Sequence, residues 1–501
     1  MKLHHIDLFL FSCTACLLLC AAAPIRAGIR PEAEALVNWK DSLAGADGSL
    51  GSWSLANSTS LCSWTHISCN SAGHVTRLDL SDISLNGTLD RFDCSAFPHL
   101  EKLTMSRNGL SGTIPEGIGN LTSLVRLDIN NNMYLTGAIP RSIGQLKHLV
   151  ELRLEDLGLD GTLPEEIGNM TSLEVLTVTS LALTGPIPLT IGMLLKLREL
   201  SLDNNNLTGS IPLEIGNMTK LQELSLRHNY LEGQLPGTLS HLIKLQGMYL
   251  SENQLGGHNV PELGNSSLLR TVDIHMNNFS GMFPSSICVG GALNYVTAAY
   301  NAFTGIHRQT FRNCTNLQYV VFTANNIVAD LRDCFGEHSR QLEFLDLSNN
   351  ALDGSLPKCF WDMPSLEFMD LSGNSFAGVV PFSRTCEHTL SYLHLANNHF
   401  TGTFPLALKK CKKLFTLDLG GNNFSGQRRI STMISYQQAI GQSFQTTIQN
   451  QDRGAVRLND QVKEFIWSQS ISAFWTYHLQ ESKSTNMNII HHKNNQQETH
   501  I

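Results

Sequence analysis

The chain has 501 residues, a formal net charge of −8, and 42% hydrophobic and 16% charged residues. Nucleic-acid-binding proteins carry clustered Lys and Arg against the phosphates. The sequence has no such cluster, so we expect no nucleic-acid partner. This length suggests several globular domains unless the chain is repetitive, because a repeat protein grows in one direction and needs no single large core.

The first residues of the chain are typical of a secretory signal. Lys2 gives a positive start, the stretch from Leu8 to Ala23 is apolar, and small residues follow. This pattern predicts a signal peptide over residues 1–27. The alternative is a membrane anchor, but the apolar run is short for a span. We expect a secreted chain with no transmembrane span apart from the cleaved signal.

Removal of the signal leaves nine of the twelve cysteines in an oxidising compartment, where disulfides are expected and one thiol is left over. Asn-x-Ser/Thr sequons are frequent, which agrees with secretion. The predicted N-glycosylation sites are Asn57, Asn86, Asn120, Asn169, Asn206, Asn217, Asn265, Asn278, Asn313 and Asn423.

A leucine recurs every 24 or 25 residues from Leu100 to Leu414, and Val75 opens an earlier copy. This period is typical of solenoids and predicts about fifteen repeats over residues 75–426. Within each repeat, apolar and polar residues alternate as in a short strand with one buried face. Each repeat therefore contributes one strand, and neighbouring repeats pair their strands in parallel. Because no repeat is stable alone, the ends need caps.

The ninth position of most repeats is Asn, as at Asn205, and we expect it to turn inward and bond buried backbone groups. Leu157 and Leu181 replace this Asn in two successive repeats. They are either substitutions by core residues or signs of a local distortion of the binding face. A following Gly permits a tight turn, and Pro ends strand pairing on the far side.

Residues 28–74 are predicted to form the N-terminal cap, with a short helix from Glu34 to Leu43 and the motif Cys62-Ser-Trp64 … Cys69. This cap and the repeat LxxLxLxxNxLxGxIPxxIG resemble plant leucine-rich-repeat receptor-like proteins and receptor-kinase ectodomains over roughly residues 30–426. One departure is His66, where the family usually has Gly. The resemblance implies an α/β repeat solenoid: a right-handed superhelix with a parallel β-sheet on the concave face and an irregular or 3-10 convex side.

The cysteines fall at similar positions of adjacent repeats, an offset compatible with disulfide geometry. The predicted pairs are Cys62–Cys69, Cys288–Cys314, Cys334–Cys359 and Cys386–Cys411, which leaves Cys94 as the free thiol. A metal site built from His66, Cys62 and Cys69 is a much weaker alternative. We expect neither a metal nor a cofactor.

Five of the sequons recur at one position of alternate repeats, so glycans there would line one flank of the solenoid. These are Asn120, Asn169, Asn217, Asn265 and Asn313. Chance is the alternative, because IGN-x-T is itself part of the repeat. A flank covered by glycans is a poor interface, which makes the concave face the better candidate for binding.

Positions three, five, seven and eight of each repeat are predicted to face away from the core, on the concave side. Charged residues come first along the chain and aromatic residues follow, a plausible surface for an extended peptide or a sugar chain. A mixed polar face required by solubility alone is the alternative. The candidate ligand-binding residues are Glu151, Arg153, Glu199, Asp203, Glu223, Arg227, His228, Tyr249, Asp273, His275, Tyr295 and Tyr319.

No phosphate-binding Gly loop, zinc-protease motif, nucleophile elbow or kinase signature occurs, so we expect no enzyme. The repeat stops after Gly426, and residues 427–501 form an atypical polar tail of a composition that usually has little order.

The resemblance implies cell-surface perception. The expected function is that of an extracellular receptor-like protein that binds a peptide or wall-derived ligand, or docks to a receptor-kinase ectodomain. The expected location is the apoplast, or the plasma membrane surface through a partner. Two alternatives stay open: a secreted inhibitor of wall-degrading enzymes such as polygalacturonase, and a non-functional product of a truncated receptor gene.

Overall fold

The computed structural model describes residues 30–260, 268–307, 310–329, 331, 335, 339–381, 389–403, 408, 411 and 413–425. The predicted signal peptide and the predicted polar tail lie outside these residues. So do Asn265, Cys334 and Cys386.

The cap begins with a helix at Pro31–Lys40, three residues earlier than the sequence predicted, because Pro is well tolerated in the first helical turn. The helix buries Leu36 and Trp39, and the Trp39 indole N–H donates to the carbonyl of Thr88 at 2.9 Å. Glu32 accepts from the backbone N–H of Val75 at 2.9 Å. These two bonds join the cap to the first repeat. A 3-10 segment at Leu55–Ser63 follows the helix.

One long sheet runs through the described residues, and we call it the main sheet. Its first strand pairs antiparallel with the second, and the fifteen strands from the second to the last, one for each predicted repeat, are parallel to one another. The sixteen strands are Ile67–Cys69, Val75–Asp79, Lys102–Thr104, Arg126–Asp128, Glu151–Glu155, Val175–Thr179, Glu199–Ser201, Glu223–Ser225, Gly247–Tyr249, Thr271–Asp273, Tyr295–Thr297, Tyr319–Val321, Phe344–Asp346, Phe368–Asp370, Tyr392–His394 and Thr416–Asp418.

The strands pair in the register that the repeat dictates. Leu176 pairs with Leu200, and Leu200 pairs with Leu224, so the same repeat position stacks from strand to strand. All three leucines are fully buried, whereas their neighbours Glu199 and Glu223 lie on the opposite side of the sheet. A side-chain period of two therefore separates a core side from a solvent-facing side.

The inward asparagines behave as predicted. The amide of Asn205 donates to the carbonyls of Val178, Leu202 and Asp203 at 2.9 to 3.1 Å, and its oxygen accepts from the backbone N–H of Leu183. Asn325 repeats this pattern one hundred and twenty residues further on. Each Asn thus satisfies backbone groups of two adjacent repeats, which a buried bend would otherwise leave without partners.

The residue before each inward Asn has a backbone conformation that the sequence did not reveal. Non-glycine residues there adopt φ values of 50 to 57°, as at Arg107, His228, Met276 and Tyr300. The left-handed conformation turns the chain out of the main sheet at the same point in every repeat. It also presents the side chain of position eight at the sheet edge.

The far side of the solenoid carries 3-10 helices, as the resemblance implies, and short parallel strands that the sequence did not predict. The 3-10 helices are Cys94–Ala96, Glu116–Asn120, Arg141–Gln145, Glu165–Asn169, Leu189–Met193, Leu213–Asn217, Gly237–His241 and Lys358–Asp362. The strands form a four-stranded sheet (Asn86–Thr88, Gly109–Gly112, Asn132–Ala138 and Leu157–Asp160), a six-stranded sheet (Thr184–Gly185, Asn206–Gly209, Tyr230–Gln234, Gln254–Asn259, Asn278–Phe283 and Ala302–Ile306) and a three-stranded sheet (Ala377–Val379, His399–Thr403 and Asn423–Ser425).

Leu157 and Leu181 are both buried, as expected for core substitutions of the inward Asn. The main sheet continues through these repeats without a break. On the far side, the four-stranded sheet ends at Asp160 and the six-stranded sheet begins at Thr184, and a parallel bridge joins Thr162 to Thr184 between them. Both substitutions therefore leave the main sheet regular.

Two of the predicted cysteine pairs are disulfide-bonded in the structure. Cys62 and Cys69 close the cap, and Cys288 and Cys314 join adjacent repeats. Cys94 is a buried free thiol, and burial raises its pKa to about 12. The pairs that involve Cys334 and Cys386 stay predictions.

Candidate functional site

We use the term sheet face for the side of the main sheet that carries repeat positions three, five, seven and eight. All twelve candidate residues lie on it or at its edge. Positions three and five are within the strands, and positions seven and eight follow them directly. What the sequence could not give is the pairing among these side chains.

The first group on the sheet face is an ion-pair network. Glu151 accepts from Arg126 Nη1 at 2.7 Å and from Arg153 Nε at 2.6 Å. Arg153 also reaches Glu155 at 3.4 Å, and Arg126 reaches Asp128 at 3.2 Å. Arg126 and Asp128 were not among the predicted residues, although they occupy positions three and five of their repeat. The cations in this group are therefore already paired with carboxylates of the same surface.

Glu199 and Glu223 come next, in register on adjacent strands. Burial raises the pKa of Glu199 above its ordinary value, and the charges of Glu151 and Glu155 act in the same direction against Arg153. Burial and the charge of Glu199 raise the pKa of Glu223 to about 7. Two neighbouring carboxyl groups that resist ionisation are a feature more common at functional sites than elsewhere.

The space beside Glu223 exists because position three of the next repeat is Gly247. A Cβ built there would lie 1.9 Å from a Glu223 carboxylate oxygen and 2.8 Å from the Tyr249 hydroxyl oxygen. Tyr249 therefore lies over Gly247 and hydrogen-bonds the Glu223 carboxylate. Any larger residue at 247 would push these two groups apart.

Asp203 holds the third group together. Its carboxylate accepts from the Ser225 hydroxyl at 2.7 Å, from the Arg227 backbone N–H at 2.8 Å and from Arg227 Nη2 at 3.1 Å. The Arg227 guanidinium also lies 5.1 Å from the ring centroid of Tyr249, within range of a cation–π interaction. Arg227 is thus fixed between a carboxylate and an aromatic ring.

Two histidines contact carboxylates in the repeats that follow. His228 Nδ1 lies 2.9 Å from Glu252, and His275 Nδ1 lies 2.5 Å from Asp273. Asp273 also accepts from the Ser251 hydroxyl at 2.9 Å. Asp273 and His275 are about 1% and 4% exposed. Both side chains therefore bond to neighbours within the sheet face rather than project from it.

Five aromatic side chains occupy position three of five successive repeats, and we call them the aromatic ladder. Ring centroids of neighbouring members lie 4.1 to 6.0 Å apart, and the Phe344 and Phe368 rings are stacked at 4.1 Å with 4° between their planes. The members are Tyr295, Tyr319, Phe344, Phe368 and Tyr392. Sequence reasoning identified only Tyr295 and Tyr319; alignment of position three through the later repeats would have found the others.

A row of carboxylates runs beside the aromatic ladder at position five, and we call it the acidic column. It consists of Asp346, Asp370 and Asp418, with His394 between the last two. His394 Nδ1 lies 3.3 Å from Asp370. Burial opposes protonation of His394, but the bond to Asp370 and the surrounding carboxylates raise its pKa. Burial and the charge of Asp370 raise the pKa of Asp346.

Four of the twelve candidate residues lie on the sheet face but are covered by neighbouring side chains. Asp203, Asp273, His275 and Tyr295 are each less than 9% exposed. Asp203 and Asp273 accept hydrogen bonds from serines of adjacent repeats, and His275 contacts Asp273 of its own repeat. Tyr295 packs against the next ring of the ladder. The other eight are partly or fully exposed.

Comparison with known protein families identifies the family to which this architecture belongs. A leucine-rich repeat N-terminal domain matches residues 30–70, a leucine-rich repeat region matches 58–188, and leucine-rich repeats match 195–255, 315–376 and 389–411. These matches together cover more than half of the chain. The chain is a leucine-rich-repeat protein.

Plant receptors are among the proteins that this leucine-rich-repeat chain resembles. It is 33% identical over 97 residues to Receptor-like protein kinase 7 of Arabidopsis thaliana, a match over 19% of this chain and 10% of the relative. The matches thus span about a tenth of the length of the curated relatives.

Two solved plant structures have the same fold. One is the plant peptide hormone receptor RGFR1 in complex with RGF2, with 29% identity, a TM-score of 0.63, and 72% of this chain and 65% of that chain covered. The other is the Arabidopsis receptor kinase HAESA in complex with the peptide hormone IDA and the co-receptor SERK1, with 28% identity, a TM-score of 0.59, and 79% and 78% covered. This leucine-rich-repeat chain therefore has the fold of plant receptor ectodomains.

Further features of the described residues bear on what the repeats can bind. None of the helices within them has the length and apolarity to cross a membrane. No group of three or more His, Cys, Asp or Glu among them is arranged to hold a metal ion. The nine sequon asparagines that the structure describes all have exposed side chains, and Asn120, Asn169 and Asn217 each end a 3-10 helix on the far side.

Proposed function

We propose that the chain is an extracellular ectodomain of receptor-like type that binds an extended peptide along the sheet face. The observation that carries this proposal is the continuous sheet face itself, on a fold that is similar to two plant receptor ectodomains in complex with peptide hormones. A surface fifteen parallel strands long matches an extended ligand better than a compact one.

The sheet face also has the chemistry of a recognition surface. Its arginines are held by carboxylates and by the Tyr249 ring, so their positions are set before a ligand arrives. Pre-set anchors lower the entropy lost on binding, and aromatic and Arg residues are the usual energetic centres of interfaces. A surface that served solubility alone would need neither the ordered Arg227 nor the row of stacked rings.

The exposed sequon asparagines support an extracellular location and leave the sheet face as the free surface. Asn120, Asn169 and Asn217 lie on 3-10 helices, whereas the sheet face has no sequon among its described positions three, five, seven and eight. Glycans on those helices would hinder partners on the far side only. Docking of a receptor-kinase ectodomain, if it occurs, is expected next to the bound peptide.

The test is binding of the secreted ectodomain to a panel of synthetic plant peptides, alone and with receptor-kinase ectodomains, measured by biolayer interferometry. We expect at least one peptide to bind, and binding to fall when Arg227 is changed to Ala. Fungal polygalacturonase is assayed in parallel. Inhibition of that enzyme without binding of any peptide would overturn the proposal in favour of a secreted inhibitor.

A further inference from the structure

Carboxylates outnumber Lys and Arg along the whole described sheet face, but Lys and Arg occur only in its first half. In the first half, Arg77, Arg126, Arg153 and Arg227 each form an ion pair with a carboxylate of the same face. From residue 295 onward, the described positions three, five, seven and eight hold no Lys or Arg. The carboxylates of the acidic column there have His394 as their one neighbouring basic residue on the face. The second half therefore complements a cationic ligand.

The aromatic ladder beside the acidic column limits what that ligand is. The Phe344 ring is stacked between Tyr319 and Phe368, so both of its faces are covered and a ligand meets the ring edge. A sugar ring stacks on an open aromatic face, which this arrangement does not offer. The side chains of Lys and Arg suit it better, because their apolar stems lie along apolar surface while their charged heads reach a neighbouring carboxylate.

The dimensions of the ladder set the number of such side chains. Four members of the aromatic ladder, from Tyr319 to Tyr392, span three inter-strand spacings. At about 4.8 Å for each spacing, this distance is about 14 Å. An extended peptide covers that distance in about four residues, and its alternate side chains point to one side. Two side chains of an extended segment therefore fit over the ladder, and the two residues are separated by one other residue in sequence.

We infer that the ligand of the sheet face carries a basic segment, with two Arg or Lys residues separated by one residue, that lies across residues 319–418. The stems of the two basic side chains rest on the edges of Phe344 and Phe368, and their charges pair with the partly exposed Asp370 and with the outer oxygen of the more buried Asp346. This inference rests on the proposed function, because it names the ligand class of the same surface.

The experiment compares four synthetic heptapeptides with blocked ends, measured against the full secreted chain by microscale thermophoresis. The probe is Gly-Ser-Arg-Gly-Arg-Ser-Gly. The others replace both Arg with Glu, replace both with Gln, or place the two Arg side by side. We expect the probe to bind at least about tenfold more tightly than the Glu and Gln peptides, since close charge pairs across an interface are worth that much or more. The adjacent-Arg peptide is expected to bind more weakly than the probe.

Variants locate the site. Asp346→Ala with Asp370→Ala is expected to lower the affinity for the probe about tenfold and to reduce its dependence on salt. Alanine is used because Asn at either position would complete an Asn-x-Ser sequon. Phe368→Ala is expected to lower the affinity several-fold without changing the salt dependence. The matched controls Glu232→Gln and Tyr134→Leu change exposed residues on the far side and should have no effect.

The outcomes separate this inference from the proposed function. Preferential binding of the probe that is lost in the Asp346 and Asp370 variant supports both. Binding of Gln or Glu peptides, or of another peptide of the panel, that is lost with Arg227→Ala but insensitive to Asp346, Asp370 and Phe368 overturns the basic-segment inference and leaves the peptide-binding proposal standing. Failure of every peptide to bind overturns both.

Discussion

At the scale of single residues, the inward asparagines are the positions on which the repeat depends most. Asn325 donates to three carbonyls of two repeats and accepts the Phe303 backbone N–H at 3.0 Å. Asn326, the next residue, is exposed and offers a matched comparison. The same amino acid at successive positions thus has a structural role in one case and not in the other.

We expect Asn325→Ala to destabilise the surrounding repeats by on the order of 2–4 kcal/mol, because several buried backbone groups lose their partner. Asn326→Ala is expected to change stability by less than about 0.5 kcal/mol, as for most surface substitutions. Hydrogen exchange of residues 296–350 measures both. Equal effects of the two substitutions would contradict the role assigned to the inward Asn.

Glu223 gives the stability of the sheet face a dependence on pH. Its pKa of about 7 in the folded chain lies above the ordinary value, so the folded state holds the proton over a range in which the unfolded state has lost it. The stability linked to Glu223 is therefore fully present below its unfolded pKa and is lost as pH rises through about 7.

We expect Glu223→Gln to have little effect near pH 5 and to be more stable than the wild type at pH 8, by on the order of 1–3 kcal/mol. Thermal unfolding at a series of pH values measures the difference. The exposed Glu232→Gln serves as the control and should give no trend. A difference for Glu223→Gln that stays constant from pH 5 to pH 8 would refute the assignment.

Sequence reasoning at this scale predicted the inward Asn and missed most of the aromatic ladder. Every repeat has buried backbone groups at the bend that need hydrogen-bond partners. The role of the Asn could therefore be inferred from a single repeat. The pairing of Glu151 with Arg126 and Arg153, by contrast, depends on which rotamer each long side chain adopts on two adjacent strands. The bond between Asp273 and Ser251 likewise joins two repeats, so no single repeat encodes it.

At the scale of elements, the main sheet was predictable and the far side only partly so. Strands such as Glu199–Ser201 alternate buried and solvent-facing residues, which is the signal that the sequence displays. The far-side strands are as short as Thr184–Gly185 and lie in Gly- and Pro-rich stretches, where no alternation exists to detect. Their pairing is a consequence of repeat stacking rather than of local sequence.

The disulfide between Cys288 and Cys314 is the element-scale feature most open to test. It joins adjacent repeats at a sequence separation of 26, and closure of such a loop stabilises a chain by about 3 kcal/mol in the entropy model. We expect the double variant Cys288→Ser and Cys314→Ser to increase proteolysis between residues 268 and 329.

The control for the disulfide variant is Cys94→Ala, which removes a buried thiol but no cross-link. It is expected to leave proteolysis of residues 268–329 unchanged. Peptide mapping without reduction should recover the Cys288–Cys314 pair from the wild type. Recovery of either cysteine as a free thiol would contradict the pairing.

At the scale of the whole molecule, the repeats produce one face suited to a ligand and one suited to glycans. The sheet face brings Arg227, Tyr249, the aromatic ladder and the acidic column onto one continuous sheet. The exposed sequons at Asn120, Asn169 and Asn217 lie on the 3-10 helices instead. The central claim is that ligands bind the first of these surfaces.

An added glycan tests this claim most directly. Glu199→Asn completes the sequon Asn-Leu-Ser on the sheet face, and Asp160→Asn completes Asn-Gly-Thr on the far side. A double variant, Glu199→Asn with Ser201→Ala, has the same Asn without the sequon. Binding of the tightest peptide of the panel is then measured for each secreted protein, with glycan occupancy checked by mass spectrometry.

The account predicts that the glycan at 199 lowers the affinity at least about tenfold, because it blocks the surface that a peptide must cover. The double variant without the glycan and the Asp160→Asn variant should bind within about threefold of the wild type. Undiminished binding with a fully occupied glycan at 199, or loss of binding caused by the far-side glycan alone, would contradict it.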